Sequence, residues 1–295
     1  MYRLRGRTIA LSVIINYLQQ VTGKCNICGW RGEFLHAGLK REGMLCGNCS
    51  SSSRHRMVMY ALGTILRSES LPVFSWPADR SFRILESSAR GSYPVMMADK
   101  FDYYQTEYDP KRVTEDPRAF ADFQNLHYEN ETFDVVIASD VFEHIRRDEQ
   151  AYREVYRVLK NNGAFVLTVP YDHGQARTIR RVDTNGEHDV HVLEPEYHGG
   201  GGHTLTYRNY GRDLLTMLTE AGFAVGYFEG EVASFGITHQ SIIIGKKADY
   251  VDMRFPPAEV STMQSVGLLL PYRLFLAFKY NMKGFVHYWK EILRK

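Results

Sequence analysis

Arg-Ile-Leu-Glu-Ser-Ser-Ala-Arg-Gly, residues 83–91, is an apolar strand that closes on an acid and runs into a loop of small residues. In a doubly wound sheet such a loop sits at the carboxyl edge, where ligands bind outside the strand ends. The sequence downstream has the matching rhythm. Short apolar stretches at 82–85, 103–106, 134–138, 164–169, 223–228 and 241–244 read as strands. Between the third and fourth, residues 148–160 put Tyr152, Val155, Tyr156 and Leu159 on one helical face, and Asn161, Asn162 and Gly163 end the helix. A second helix spans 212–220 and stops at Gly222. Strands alternating with helices predict parallel βαβ units, so the expected fold class is α/β with a doubly wound sheet.

Upstream lies a different kind of module. Cys25-x2-Cys28 and Cys46-x2-Cys49 are separated by seventeen residues, and they are the only cysteines of the chain. Two tight turns that each aim two thiolates at one point complete a tetrahedral sulfur set, which suits structural zinc better than two disulfides. Gly29 and Gly47 stand where the knuckle backbones are expected to need relaxed limits. Arg31, Lys40, Arg41, Arg54, His55 and Arg56 surround the ribbon. They read either as a surface for an anionic partner or as a basic face paired with the rest of the protein. Ser50 to Ser53 can cap a following helix, 54–67, with Met57, Ala61, Leu62 and Ile65 at helical spacing.

About twenty residues beyond Glu86 a second strand ends in Glu107, where a carboxylate can accept hydrogen bonds from both hydroxyls of a ribose. Asp122 and Phe123 offer an acid for an adenine amino group and a ring for its face. The strand at 134–138 then leads into Ser139, Asp140, Val141, Phe142, Glu143 and His144. With ILESSARG (84–91), TEYD (106–109), FDVVIASDVFEHI (133–145), REVYRVLKNNGAFVLTVP (153–170) and EYHGGGGHTLTYRNYGRDLL (196–215), the chain resembles the class I S-adenosylmethionine-dependent methyltransferases. The resemblance is particularly to a bacterial group with a short Glu-His signature and a preceding cysteine ribbon. The resemblance covers about residues 25–245 and implies a Rossmann-like methyltransferase sheet with S-adenosylmethionine as cofactor. It places Glu86 and Gly91 at the methionine part of the donor, Glu107 at the ribose, and Asp122 with Phe123 at the adenine. Ser87, Ser88, Tyr108 and Ser139 complete the cofactor-binding set. The first motif departs from the family pattern: Ser88, Arg90 and Ser92 stand where glycines alternate, and only Gly91 is kept.

Methyl transfer depends mainly on holding a nucleophile in line with the sulfonium, and for a hydroxyl acceptor a general base adds roughly 10²–10⁴-fold. His144, in the loop after the strand at 134–138, and His203 are the candidate catalytic residues, weighed against the commoner role of a histidine as a satisfied polar contact. Tyr171, His173, His188, His191, His198 and His203 crowd the stretch between Val169 and Arg212, the expected acceptor pocket. The spacing of these histidines does not favour a second metal.

Lys and Arg total 36 against 34 Asp and Glu, a net charge of +2, without the strong positive field of a general nucleic-acid binder. The leading expectation is O-methylation of a small molecule or a sugar/glycan precursor. An RNA methyltransferase is the alternative, and a catalytically inactive zinc-ribbon interaction protein is the third reading. The division expected is 1–24, a basic/apolar helix; 25–56, the zinc ribbon; 57–247, the methyltransferase domain; and 248–295, a C-terminal amphipathic extension. Arg3, Arg5 and Arg7 before an apolar stretch imitate a signal peptide without its small-residue cleavage site. With the metal-spaced cysteines this points to the cytoplasm. In the extension, Phe275, Phe278, Met282, Phe285, Trp289, Ile292 and Leu293 share one face at 100° per residue, opposite Arg273, Lys279, Lys283, His287, Lys290 and Arg294. Such a helix suits peripheral membrane contact, protein packing or self-association.

Overall fold

The computed structural model describes residues 21–36, 42–107, 117–198 and 203–248. The expected N-terminal helix, Lys40, Arg41, Tyr108 and the amphipathic extension from residue 249 lie outside the described residues.

The chain opens with a three-stranded antiparallel sheet, β1 (Val21–Lys24), β2 (Arg31–His36) and β3 (Met44–Leu45), around the cysteines. Helix α1 (Ser53–Ile65) follows, begun by a capping box in which the Ser52 hydroxyl accepts from the His55 amide. Next come β4 (Asp79–Ser87), α2 (Tyr93–Lys100), β5 (Phe101–Thr106), β6 (Phe133–Ser139), α3 (Asp148–Val158) and β7 (Leu159–Thr168). Six two-residue strands then form small antiparallel ladders in the insert: β8 (Ile179–Arg180), β9 (Val182–Asp183), β10 (Val190–His191), β11 (Tyr197–His198), β12 (Thr204–Leu205) and β13 (Arg208–Asn209). The described residues close with α4 (Leu214–Glu220), β14 (Ala224–Val232) and β15 (Ile237–Lys246).

The main sheet has the order β14-β15-β7-β6-β4-β5. β5, β4, β6 and β7 are parallel, while β15 runs antiparallel to both β7 and β14. The reversal beside β4, with β5 on one side and β6 on the other, is the switch point at which doubly wound sheets take ligands. All six strands expected from the sequence are present, each longer than its apolar centre.

Both faces of the sheet are covered, and strand alternation sorts the side chains between them. Ile84, Val135, Ile137, Ala164, Val166, Ile242 and Ile244 face one core, shared with Met57, Val58, Ala61 and Leu62 of α1 and with Cys25, Ile27, Phe34 and Cys46 of the ribbon. Leu85, Val136, Ala138, Phe165, Leu167 and Ile243 face the other, under Ala151, Tyr152, Val155 and Val158 of α3 and Leu214 and Leu218 of α4. The ribbon is thus part of one layer of the sandwich. Helix α1 also runs through the expected 56/57 division. Arg56 fixes this layer: its guanidinium, wholly buried, donates to the carbonyls of Met44 (2.9 Å), Phe235 (2.8 Å), Gly236 (2.7 Å) and Ser51. It also lies 4.3 Å over the Phe34 ring. Among the described residues, no helix is long and apolar enough to cross a membrane.

Candidate functional site

The four cysteines converge. Cys25 Sγ lies 3.8 Å from Cys49 Sγ, and Cys28 Sγ lies 3.7 Å from Cys46 Sγ, with all four sulfurs within 4.8 Å of one another. Thiolates on one tetrahedral zinc, with Zn–S bonds of about 2.3 Å, stand about 3.8 Å apart, so the set fits the ion and leaves no open coordination position. The two knuckles repeat one hydrogen-bond pattern. Gly29 N donates to Cys25 O and Cys25 N to Trp30 O; Ser50 N donates to Cys46 O and Cys46 N to Ser51 O. Each has a left-handed residue four places after its first cysteine, Gly29 at φ +72° and Ser50 at φ +56°. The expectation for Gly47 is corrected here: Ser50 is the residue that turns left-handed.

The carboxyl ends of β4, β5, β6 and β7 are in register, with Ser87 opposite both Thr106 and Ala138, and Ser139 opposite Thr168. This brings the loop 88–91, Glu107, Ser139 and Asp140 to one edge. Glu86 is buried behind that loop, where its carboxylate accepts from the Tyr93 hydroxyl and, at 2.8 Å, from Tyr103. Burial raises its pKa to about 7 against the opposing effect of the two hydroxyls. Its place is to brace the loop, and a ligand would not reach it directly. Ser88 takes φ +55° and its amide donates to Thr106 O at 2.8 Å; Gly91 takes φ +91°. Ser87 is buried. Glu107 accepts from Arg90 across the loop at 2.6 Å.

Asp122 spends one carboxylate oxygen on the Gln124 amide and side chain, at 2.9 and 3.1 Å, and thereby shapes its own turn. The Phe123 ring is in the core, edge-on to Phe142 with centroids 5.8 Å apart. The Phe123 ring is thus turned into the core, away from the expected adenine face, whereas Asp122 is half-buried.

The first turn of α1 reaches this edge from the ribbon. Arg54 donates to Ser139 Oγ at 2.7 Å and to Glu42 at 2.7 Å, and its Nε lies 3.4 Å from Asp140. Burial opposes its charge, but the carboxylates of Asp140 and Glu42 outweigh that and raise its pKa. The His55 ring lies against Gly91, where an added Cβ would sit 3.1 Å from it, and it packs edge-on to Tyr93. Burial, then the Arg54 charge, lowers the His55 pKa to about 4, so it is neutral. Arg54, His55 and Arg56 therefore face inward, which supports the pairing of the ribbon's basic face with the sheet rather than with an external anion. Arg31 is exposed.

Beyond Asp140 a 3-10 turn, Phe142–His144, carries the Glu-His pair. Arg208 holds it from beneath, donating to the carbonyls of Phe142 (2.9 Å), Ile145 (2.6 Å) and Arg146 (2.9 Å). Its charge is met by Asp148 at 3.3 Å, both side chains being buried, and Tyr210 donates to the same carboxylate at 3.0 Å. His144 Nδ1 lies 2.8 Å from Leu205 O. The ring beside it is His198, with centroids 4.8 Å apart. His203 is exposed, as are His188 and His191, while His173 pairs with Glu229 at 2.7 Å.

Sequence reading missed three features. Asp148 looks like an ordinary first-turn acid, and Arg208 gives no local signal of its burial. Arg54 reads in the sequence only as part of a basic cluster. The pairing of His198 with His144 was hidden because the insert's short ladders have no periodicity long enough to read.

Residues 90–167 match the model of the methyltransferase domain family. Over 81 residues the chain is 36% identical to the sterol methyltransferase-like 3 protein of Botryococcus braunii, a stretch that is 28% of this chain and 19% of that relative. Among solved structures it is similar to an S-adenosylmethionine dependent methyltransferase from Mesorhizobium loti, at 15% identity, 62% of this chain, 95% of that one and a TM-score of 0.40. It is also similar to phosphoethanolamine N-methyltransferase 2 of Haemonchus contortus, solved with S-adenosyl-L-methionine, at 18% identity, 57% and 37% coverage and a TM-score of 0.33. By the match of its central segment and by its own strand order, the chain carries a class I methyltransferase domain, with a four-cysteine cluster built into one face of its sheet.

Proposed function

We propose that the protein is an S-adenosylmethionine-dependent methyltransferase that methylates a hydroxyl of a small molecule or sugar/glycan precursor. The observation that carries the reading is the alignment of the strand ends at the switch point, which gathers the 88–91 loop, Glu107 and the Ser139–Asp140 turn, within a segment that matches the methyltransferase family. Bound there, S-adenosylmethionine supplies an electrophilic methyl group that needs little covalent help. Glu107 accepts the ribose hydroxyls, and the Ser88 to Gly91 backbone lines the methionine end. The inserted ladders between β7 and α4, rich in Tyr and His, form the acceptor side, next to which the His144 and His198 rings meet.

The fit of four thiolates supports structural zinc in the ribbon, and a thiolate set suits a reducing compartment, which favours the cytoplasm. The near-neutral net charge and the inward-facing Arg54 and Arg56 favour a small acceptor over RNA. Calorimetry with S-adenosylmethionine and its demethylated product tests the donor; absence of heat and of thermal shift at millimolar ligand would sink the reading. Mass spectrometry of cell-extract fractions incubated with labelled donor identifies the acceptor, and salt-dependent RNA binding would favour the RNA alternative.

A further inference from the structure

We propose that Glu143, His144 and His198 form a divalent-metal site, separate from the cysteine cluster, on the acceptor side of the sheet. One donor atom from each lies within 4.8 Å of the others, and Glu143 Oε1 is 3.8 Å from His144 Nε2. Ligands on one ion with bonds of about 2.0–2.2 Å stand about 3.0–3.5 Å apart, so closing the set needs a shift of about an ångström or less per side chain.

Tautomer chemistry argues for a cation here. Leu205 O, 2.8 Å from His144 Nδ1, can only accept, so Nδ1 carries the hydrogen and Nε2 presents a lone pair. That lone pair faces a carboxylate of a residue only 1% exposed, an acceptor turned toward an acceptor. A metal ion seated between them would take the His144 lone pair and meet the charge of the carboxylate. A ligating imidazole whose other nitrogen is fixed by a backbone carbonyl is the usual way in which proteins aim such a ring.

The surroundings are rigid. Arg208 ties down the carbonyls on both sides of the pair, Tyr207 N donates to Glu143 O at 2.8 Å, and Glu196 stands 3.6 Å from His198 Nε2. Two imidazoles and one carboxylate suit zinc, iron(II), cobalt(II) or manganese(II), and such a set leaves positions open for an acceptor oxygen. This last point rests on the methyl-transfer reading; the metal site does not. The proposal makes His144 a ligand in place of the general base expected from the sequence.

The test is a cobalt(II) titration of full-length zinc-loaded protein, followed by calorimetry and visible absorption. The expected result is one cobalt(II) per chain, with weak d–d bands and no thiolate charge-transfer band, and affinity at least tenfold lower in Glu143→Gln and in His198→Ala. His198 is half-exposed, so its variant keeps the test valid if Glu143→Gln unfolds. Absence of binding, binding unchanged in His198→Ala, or a thiolate band alone would overturn the proposal. Because no methyl donor is present, failure here leaves the methyltransferase reading intact.

Discussion

The Arg54 guanidinium, carried on the first turn of α1, donates to the Ser139 hydroxyl at 2.7 Å and so links the ribbon to the carboxyl end of β6. The link is short. Ser51 Oγ lies 3.2 Å from Cys49 Sγ and 3.5 Å from Cys25 Sγ, Ser52 caps the helix, and Arg54 follows. A cluster that appears in the sequence as an appended module is therefore joined to the strand edge at which the donor is proposed to bind. We expect Arg54→Ala to weaken S-adenosylmethionine binding about tenfold, or about 1.4 kcal/mol, by releasing Ser139 and Asp140. Calorimetry at constant folded fraction checks it, and wild-type affinity in the variant would detach the ribbon from donor binding.

The zinc site should be structural and stoichiometric. We expect one tightly held zinc per chain, and loss of thermal stability in Cys25→Ser and Cys46→Ser, since binding energy at a closed thiolate site is folding energy. Arg56, buried within the field of the four sulfurs, should matter almost as much: Arg56→Ala uncovers four carbonyls and removes the cation that offsets the anionic cluster. Metal analysis of protein prepared without chelator, with melting curves, decides both points.

Glu86 gives a pH dependence of definite sign. Its pKa is raised by burial from an ordinary carboxylate value to about 7 in the folded protein, so the folded state holds a proton that the unfolded state releases. That contribution is complete below about pH 4.5 and is lost as the pH rises through about 7. We expect wild-type stability to fall between pH 5 and pH 8 relative to Glu86→Gln, which keeps the shape without the charge. Denaturant midpoints for both proteins across this range measure the effect; parallel curves would contradict it.

The central strands β4, β6, β7 and β15 were legible because their apolar centres are buried on both faces, and α3 because its apolar stripe has a clean helical period. The convergence of the four cysteines was legible from spacing alone. What escaped were long-range pairings of polar groups, such as Asp148 with Arg208 and His144 with Leu205 O, 60 and 61 residues apart in the chain. Such pairings leave no local pattern, because a buried arginine and an exposed one read alike. Phe123 shows the converse limit: an aromatic beside an acid suggested a ligand clamp, yet its ring fills the core beside Phe142.

Arg208 should be costly to remove. It is buried against Asp148, and its guanidinium holds three carbonyls of the turn that carries Glu143 and His144. Removing one partner leaves a buried charge and unpaired carbonyls, a loss of about 3–5 kcal/mol. We expect Arg208→Ala to unfold at much lower denaturant, and Arg208→Lys to recover only part of the loss, since an ammonium cannot span three carbonyls and a carboxylate in one plane. Equal stability of wild type and Arg208→Ala would show that the turn stands without this support.

The Arg90–Glu107 pair bears directly on how the donor is held. The two side chains meet at 2.6 Å across the mouth of the 88–91 loop, and they are 59% and 30% exposed. A pair this open contributes about 0–1 kcal/mol, so a ligand can displace the arginine at little cost. If Glu107 accepts the ribose hydroxyls, Arg90 is the group that leaves when the donor arrives. Glu107→Ala should then weaken both S-adenosylmethionine and its demethylated product by about 1.5–3 kcal/mol, the value of hydrogen bonds to a charged group. Arg90→Ala should leave affinity unchanged or tighten it by no more than about fivefold, because it removes only a competitor. Opposite behaviour, with Arg90→Ala losing affinity and Glu107→Ala keeping it, would assign the contact to the guanidinium and place an anionic part of the ligand, rather than its ribose, at the end of β5.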